Sequence, residues 1–267
     1  MKHWGGSGSS QMESRISDEV LYLLSSIESE KTNPFDPAPI LNCAISNVIC
    51  SIIMSTRFHH NDKRFQRFMF LFNEGFRLFT LTGAMAYLPI MKHLPGVKNT
   101  VEQIKSNRDE MLEFVQFIVE EHKSQLDRNN PKDLVDSYLI EIEQAREAGN
   151  LEQVFDSMDP EKQLQQILLD IFSAGVETLK TTIQWSILHM IHNPEVRRKV
   201  QEELDSVVGP HRLPCMDDMA SLPYTRATIY EVQRRATVVP MGTTHATDRL
   251  VAHSCSAPSC RNCFCKS

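Results

Sequence analysis

The sequence lacks long hydrophobic runs. Its most apolar stretch, Ile40 to Met54, is broken by Asn42, Ser46, Asn47 and Ser51. It is shorter than the ~20 residues a bilayer-spanning helix needs. It reads as a buried core helix, and no membrane anchor is expected in the chain as written. A basic excess is missing too. The 28 Lys and Arg stand against 34 Asp and Glu, a net charge of -6. Nucleic acid is therefore not an expected partner, because a phosphate backbone wants a basic face. Glycine and proline number 10 and 13 in 267 residues, too few for a collagen-like or low-complexity chain. The start, MKHWGGSGSS, holds no apolar segment of the secretory-signal kind. Seven cysteines without such a signal make a poor disulfide framework.

Four of those cysteines, Cys255, Cys260, Cys263 and Cys265, crowd the end of the chain. With His253 they complete a zinc ligand set on paper, but not as two pairs across a longer loop. A non-native or disordered tail is the favoured reading. Glycine-rich nucleotide loops, the H-E-x-x-H zinc motif and the G-x-S-x-G nucleophile turn are all absent. The histidines, His59-His60 among them, show no ligand spacing and read as solvated.

What is present is helical periodicity. Met12, Ile16, Val20, Leu23, Leu24 and Ile27 step by threes and fours, as one stripe of an amphipathic helix does. Further helices are expected from about Pro39 to Thr56, Asp62 to Leu81 and Val97 to Asp127. Asn130-Pro131 offers an N-cap and first-turn proline for the next. Asp159-Pro160 repeats that signal and opens 33 residues without an internal proline, a helix about 50 Å long. Pro194 to Val207, with Glu203 and Asp205 exposed, and Pro223 to Ala236 follow. The body is thus mainly α, about nine helices with little β. From about Asp248 no period of either kind remains. The expected division is a poorly structured start over 1–10, a helical domain over 11–247, and a separate cysteine-rich tail over 248–267.

Two short motifs carry chemistry. Ala174-Gly175-Val176-Glu177-Thr178 lies inside the 33-residue helix. Glycine there costs about 1 kcal/mol against alanine, and such a glycine often marks close approach of something flat or bulky. Thr178 can bond back to a carbonyl one turn earlier and loosen the helix. Glu177 adds an ionisable group beside that point. These are suitable parts for a helix that lines a cofactor pocket and passes protons. Taken alone, a tolerated glycine with Glu177 in solvent is the favoured reading. The second motif, Glu231-x-x-Arg234, puts both charges on one helix face. On a surface it contributes ~0.2–0.5 kcal/mol and means little.

Order and distance give these motifs more weight. FSAGVETLKTTIQW is followed by HNPEVRRKVQEELDSVVG, LPYTRATIYEVQR and VVPMGTTHAT. The combination resembles the cytochrome P-450 superfamily of haem-thiolate monooxygenases. NVICSIIMSTRF, NEGFRLFT and LPIMKHLPG resemble its microsomal group, and the whole is most similar to the arthropod ecdysteroid 26-hydroxylase branch. The likeness runs from about Gly5 to Thr247.

The resemblance implies an incomplete fold of that family and a haem cofactor. It implies that Ala174 and Gly175 lie against the distal haem face. Thr178 would be the oxygen-activation threonine, helping to protonate bound dioxygen, with Glu177 as the acidic neighbour in the relay. The family's frequent second hydroxyl is replaced by Leu179. Glu231 and Arg234 would form a buried structural pair behind the haem. His245 would reach a haem propionate, and Phe172, Ser173, Val239 and Met241 would face the substrate. The partners implied are O2, a lipophilic substrate (ecdysteroid if the branch holds) and an NADPH-fed reductase flavoprotein, at the endoplasmic reticulum membrane.

The departures are equally specific. The family's axial cysteine stands in F-x-x-G-x-R-x-C-x-G, and no cysteine here has that context. The early W-x-x-x-R helix is missing, since Trp4 has no arginine four residues on. The expectations are therefore two. The parent enzyme is a haem monooxygenase, and the chain is its middle with an aberrant tail. Alternatively it is a truncated or frameshifted, non-catalytic product that holds no thiolate-ligated haem.

Overall fold

Several helices begin at a chemical start signal, a capping aspartate or a first-turn proline. The computed structural model describes residues 7–59, 61–82, 97–155 and 159–240. Nine α-helices occur among them: α1 (Ser7–Ser29), α2 (Ala38–Met54), α3 (Lys63–Thr82), α4 (Val97–Gln125), α5 (Leu134–Glu147), α6 (Leu151–Phe155), α7 (Pro160–His192), α8 (Pro194–Val207) and α9 (Pro223–Ala236). A 3-10 turn spans Met216–Ser221, and no strand is found among the described residues. The short α6 and the 3-10 turn carry no periodic signal and were not expected from the sequence.

The starts are chemical. Asp159 accepts a hydrogen bond from the Glu161 N–H, and Pro160 follows it in the first turn of α7, which fixes the backbone for a helix. α5 begins at Leu134 rather than at Asn130-Pro131. Its N-cap is Asp133, whose carboxylate accepts from the Asp136 N–H at 3.0 Å. A side chain that satisfies a first-turn donor outweighs a proline that only presets φ. α9 is capped from outside. Leu222 offers its N-terminus no side-chain acceptor. Glu203 of α8 reaches across to accept from the N–H groups of Tyr224 and Thr225 at 2.9 and 2.6 Å. Glu203 is thus half-buried and structural, where the sequence suggested an exposed acid.

The core sits where α2, α3, α4 and α7 meet. α3 packs on α4, α1 on α2, and α2 on α7. Leu41, Phe65, Phe68, Leu164, Leu168 and Phe172 are all 2% exposed or less. Each such side chain contributes about 1.5–3 kcal/mol by leaving water. The rings pack at preferred angles: Phe172 meets Phe68 and Phe72 edge-on, centroids 5.0 and 5.1 Å apart, an arrangement that favours the ring quadrupoles. The stretch expected to be a buried core helix is α2, with Leu41, Asn42, Ile45, Ser46 and Asn47 buried. Of its polar residues, Asn47 is fully engaged: its Nδ2 donates to the Phe58 carbonyl and its Oδ1 accepts from the Phe58 N–H. No described helix is long and apolar enough to cross a membrane.

Candidate functional site

α7 has two unlike sides. Leu164, Leu168, Phe172 and Val176 point into the core, all 1% exposed or less. Gly175 adjoins that side. A Cβ on it would meet Ile49 Cδ1 of α2 at 2.8 Å and Cγ1 at 3.3 Å. The glycine is there so that α7 can lie close on α2. The sequence tied it to a flat cofactor; the described contact is with Ile49.

The other side of α7 is open. Ile171 is 38% exposed, Ala174 is exposed and Thr178 is half-buried. Steps of three and four place these three on one stripe. The same stripe continues to Trp185 and Leu188, 38% and 43% exposed. An apolar stripe with a small residue at its centre is what a flat, apolar group can lie against. Thr178 does not break that surface, because its Oγ1 donates to the Ala174 carbonyl at 2.6 Å. The back-bond read from sequence is therefore present. Thr182 and Ser186 repeat it to Thr178 and Thr182. Glu177 is not loose in solvent: Lys180 Nζ donates to its Oε2 at 2.5 Å.

The remaining predicted residues divide. Phe172, expected at a substrate wall, has its ring in the core against Phe68 and Phe72. Ser173 is half-buried and Val239 is 53% exposed. Met241, His245 and the tail cysteines lie outside the described residues. Glu231 and Arg234 do form their pair, with two parallel bonds of 2.7 Å. Arg235 adds a third at 3.0 Å. These hydrogen bonds hold the Glu231 carboxyl down at about 2, and the charges of Arg234 and Arg235 add to them. The pair is not buried, however: the side chains are 50% and 69% exposed. No described element covers the outer side of α9 at this point. Glu231 and Arg235 also line a cavity of about 190 Å³ between α9 and the end of α7, with His189, Met190 and Asn193.

Sequence reasoning missed a buried ionic cluster. His122 of α4 was taken as solvated, yet its side chain is only 12% exposed. Its Nε2 lies 2.9 Å from Asp133 Oδ2 and its Nδ1 2.8 Å from the Ile118 carbonyl oxygen. Both ring nitrogens face acceptors, so the ring is an imidazolium. Burial opposes that charge. The Asp133 bond, the Ile118 carbonyl and the charges of Asp133 and Asp136 outweigh it and raise the ring to about 9. His122, Asp133 and Asp136 hold their donor atoms within 4.8 Å of one another. The direct bond between His122 and Asp133 shows that the cluster satisfies itself. The signal available in sequence was the acidic N-cap of α5, eleven residues past the histidine.

The open stripe of α7, apolar with the small Ala174 at its centre, is compatible in polarity with a haem face. The axial donor is a different matter. Burial pushes the Cys43 thiol up to about 11, helped by the charge of Glu19, and raises the fully buried Cys50 as well. Neither is a thiolate at neutral pH. Cys215 donates to Asp218 Oδ2 at 3.2 Å beside the Arg212–Asp218 pair. None of the three described cysteines is thus shown ready to ligate iron.

The family model for cytochrome P450 matches residues 2–252. Cytochrome P450 18a1 of Drosophila melanogaster is 45% identical over 244 residues, 91% of this chain and 45% of that protein. Cytochrome P450 2C3 of Oryctolagus cuniculus is 36% identical over 243 residues, 90% of this chain and 48% of the relative. Cytochrome P450 2C8 of Homo sapiens is 37% identical over 245 residues, with 90% and 48% covered. The chain thus spans about half the length of the curated relatives it matches. With the family model covering nearly all of it, this chain belongs to the cytochrome P450 family, whose cofactor is haem.

Proposed function

We propose that the chain is the central helical part of a haem monooxygenase that hydroxylates a lipophilic substrate. The observation that carries this reading is the open stripe of α7, with Ala174 at its centre and the Thr178 hydroxyl one turn on. Haem bound there supplies the oxidative chemistry with O2 and electrons. Ala174 provides a flat place for it, and Ile171 keeps that place apolar. Val239 and Ser173 are the described candidates for substrate contact; Met241 joins them by family position. His245 is assigned a propionate on the same ground.

The residues' own task is proton movement. Thr178 Oγ1 gives its proton outward from the stripe and is refilled from the Glu177 carboxyl. Glu177 takes its replacement from solvent. Positioned acid groups of this kind contribute about 10²–10⁴-fold. Glu231 and Arg234 brace α9 beneath this region, and their exposed sides await cover from other parts of the fold. The reducing equivalents would come from NADPH through a flavoprotein, at the endoplasmic reticulum membrane where microsomal relatives work. The resemblance of EGFRLFT, FSAGVETLKTTIQW and VVPMGTTHAT to the ecdysteroid 26-hydroxylase branch supports an ecdysteroid as substrate.

A non-catalytic product is the second reading. Burial keeps the thiols of Cys43 and Cys50 protonated, so neither offers iron a thiolate, and this favours it. One comparison decides between them. In the haem-loaded enzyme with NADPH and reductase, Thr178→Ala should lower hydroxylated product about 100-fold or more while NADPH is still consumed and peroxide rises. Unchanged product from Thr178→Ala would contradict the catalytic reading, and absence of product from both proteins would favour the second.

A further inference from the structure

One residue of α7 stands in the wrong register for its chemistry. Leu164, Leu168, Phe172 and Val176 form the inward stripe in steps of four, and Ile183 packs on the same core. Between Val176 and Ile183 the inward position is residue 180, and it is a lysine, its side chain only 14% exposed. An ammonium held so far from water needs a partner. Its partner is Glu177, one turn back, with Nζ 2.5 Å from Oε2.

The placement has a direction. Successive helical residues turn by about 100°. Glu177 therefore lies about 100° to one side of Thr178, and Lys180 about 200° round, on the far side of the helix from it. The ammonium draws the Glu177 carboxylate away from the stripe on which Thr178 and Ala174 lie. Thr178 Oγ1 meanwhile donates to the Ala174 carbonyl. The two proton carriers of the proposed relay are each engaged elsewhere.

We propose that Lys180 is a positioning residue, a latch that holds Glu177 off the Thr178 face and sets how often the relay connects. This rests on the proton-delivery reading of Thr178 and Glu177 given above. When the latch opens, Glu177 takes one proton from solvent and passes it to Thr178 Oγ1, which releases its own toward the open stripe. One proton crosses and nothing is oxidised in the step. A purely structural ion pair would hold α7 together and leave proton traffic alone.

Two measurements test the latch: the first shows that the pair holds Lys180, and the second separates a latch from a purely structural pair. The first needs no cofactor: acylation of the Lys180 amine, followed by mass spectrometry of the full chain. Glu177→Gln should speed labelling about fivefold, the effect of losing an ion pair of ordinary strength, and Thr178→Ala should leave it unchanged. No acceleration in Glu177→Gln would overturn the latch. The second uses the haem-loaded enzyme with NADPH and reductase, and reads the share of electrons that emerge as peroxide. Lys180→Met, apolar and suited to an inward position, should lower that share about twofold, the gain from freeing a carboxylate held by one such pair. Lys180→Arg should restore the wild-type share. A share in Lys180→Met equal to or above wild type overturns the latch. If Glu177→Gln and Thr178→Ala also leave the share unchanged, the proton-delivery reading itself has failed, and the latch with it.

Discussion

Gly175 shows how one missing methyl sets a helix contact. A Cβ there would stand 2.8 Å from Ile49 Cδ1, closer than carbon atoms approach without moving something. The obstructing atom is the end of a side chain, so it can yield. Gly175→Ala gains about 1 kcal/mol of helix propensity and loses about 1–3 kcal/mol to overpacking, for a net change near zero to about 2 kcal/mol unfavourable. Ile49→Val removes the obstructing methyl. In that background Gly175→Ala should become stabilising by up to about 1 kcal/mol. Equal effects of Gly175→Ala in both backgrounds, measured by denaturant unfolding, would show that the two do not touch. The same residue illustrates what a pentapeptide conveys. The pentapeptide allowed a close approach at Gly175 and a back-bond at Thr178, though a tolerated glycine was the favoured reading; a close approach to Ile49 and the back-bond are present. It could not say that Gly175 approaches a neighbouring helix, because the partner, Ile49, lies far away in sequence.

At the scale of elements, the ionic link between α4 and α5 is the feature with the sharpest pH signature. The His122 ring is raised from its ordinary 6.5 to about 9. Burial works to raise the Asp133 carboxyl, but the bonds from His122 and the Asp136 N–H and the His122 charge lower it overall. The histidine contribution is fully present below about 6.5 and is lost as pH rises through about 9. The aspartate contribution is present above its ordinary 3.8 and is lost as pH falls through its lowered value. The joint between α4 and α5 should therefore be firmest between about pH 4 and 6.5 and weaken as pH rises from about 6.5 through 9. His122→Ala strands the buried Asp133 carboxylate and should cost about 2–4 kcal/mol at pH 7. It should also flatten the stability profile between about pH 6.5 and 9. A variant that keeps the wild-type slope in thermal unfolding across that range would place the titration elsewhere. This element-level link was illegible in the sequence. His122 lies on a helix face and Asp133 caps another helix, and only the turn between them, 126–132, brings the two together. The helices themselves were legible, because stripes, prolines and capping aspartates are local signals. α5 was misplaced by three residues because a proline start was preferred to the aspartate that does the capping.

At the scale of the molecule, the chain carries a finished core and an unfinished surface. Phe65, Phe68, Phe172 and their neighbours are buried as in any stable domain, while Ile171, Leu179, Trp185, Leu188 and Ile191 of α7 are 37% exposed or more. The stripe through Ile171, Trp185 and Leu188 is an apolar surface that asks for cover, and haem is the cover proposed for it. The Glu231–Arg234 pair tells the same story from α9. Its bonds are made, but its expected burial depends on residues that no described element supplies. The family was legible because motif order survives along the sequence. Burial was not, since it depends on what lies over a helix rather than on the helix. The most direct test of the cofactor face is a titration of the purified chain with haem, followed by the Soret band, in wild type and Ala174→Arg. The account predicts saturable binding by wild type and affinity at least about tenfold weaker in Ala174→Arg, a charge without a partner on an apolar contact. Equal affinity in the two proteins, with equal melting temperatures, would contradict the placement of the cofactor on α7.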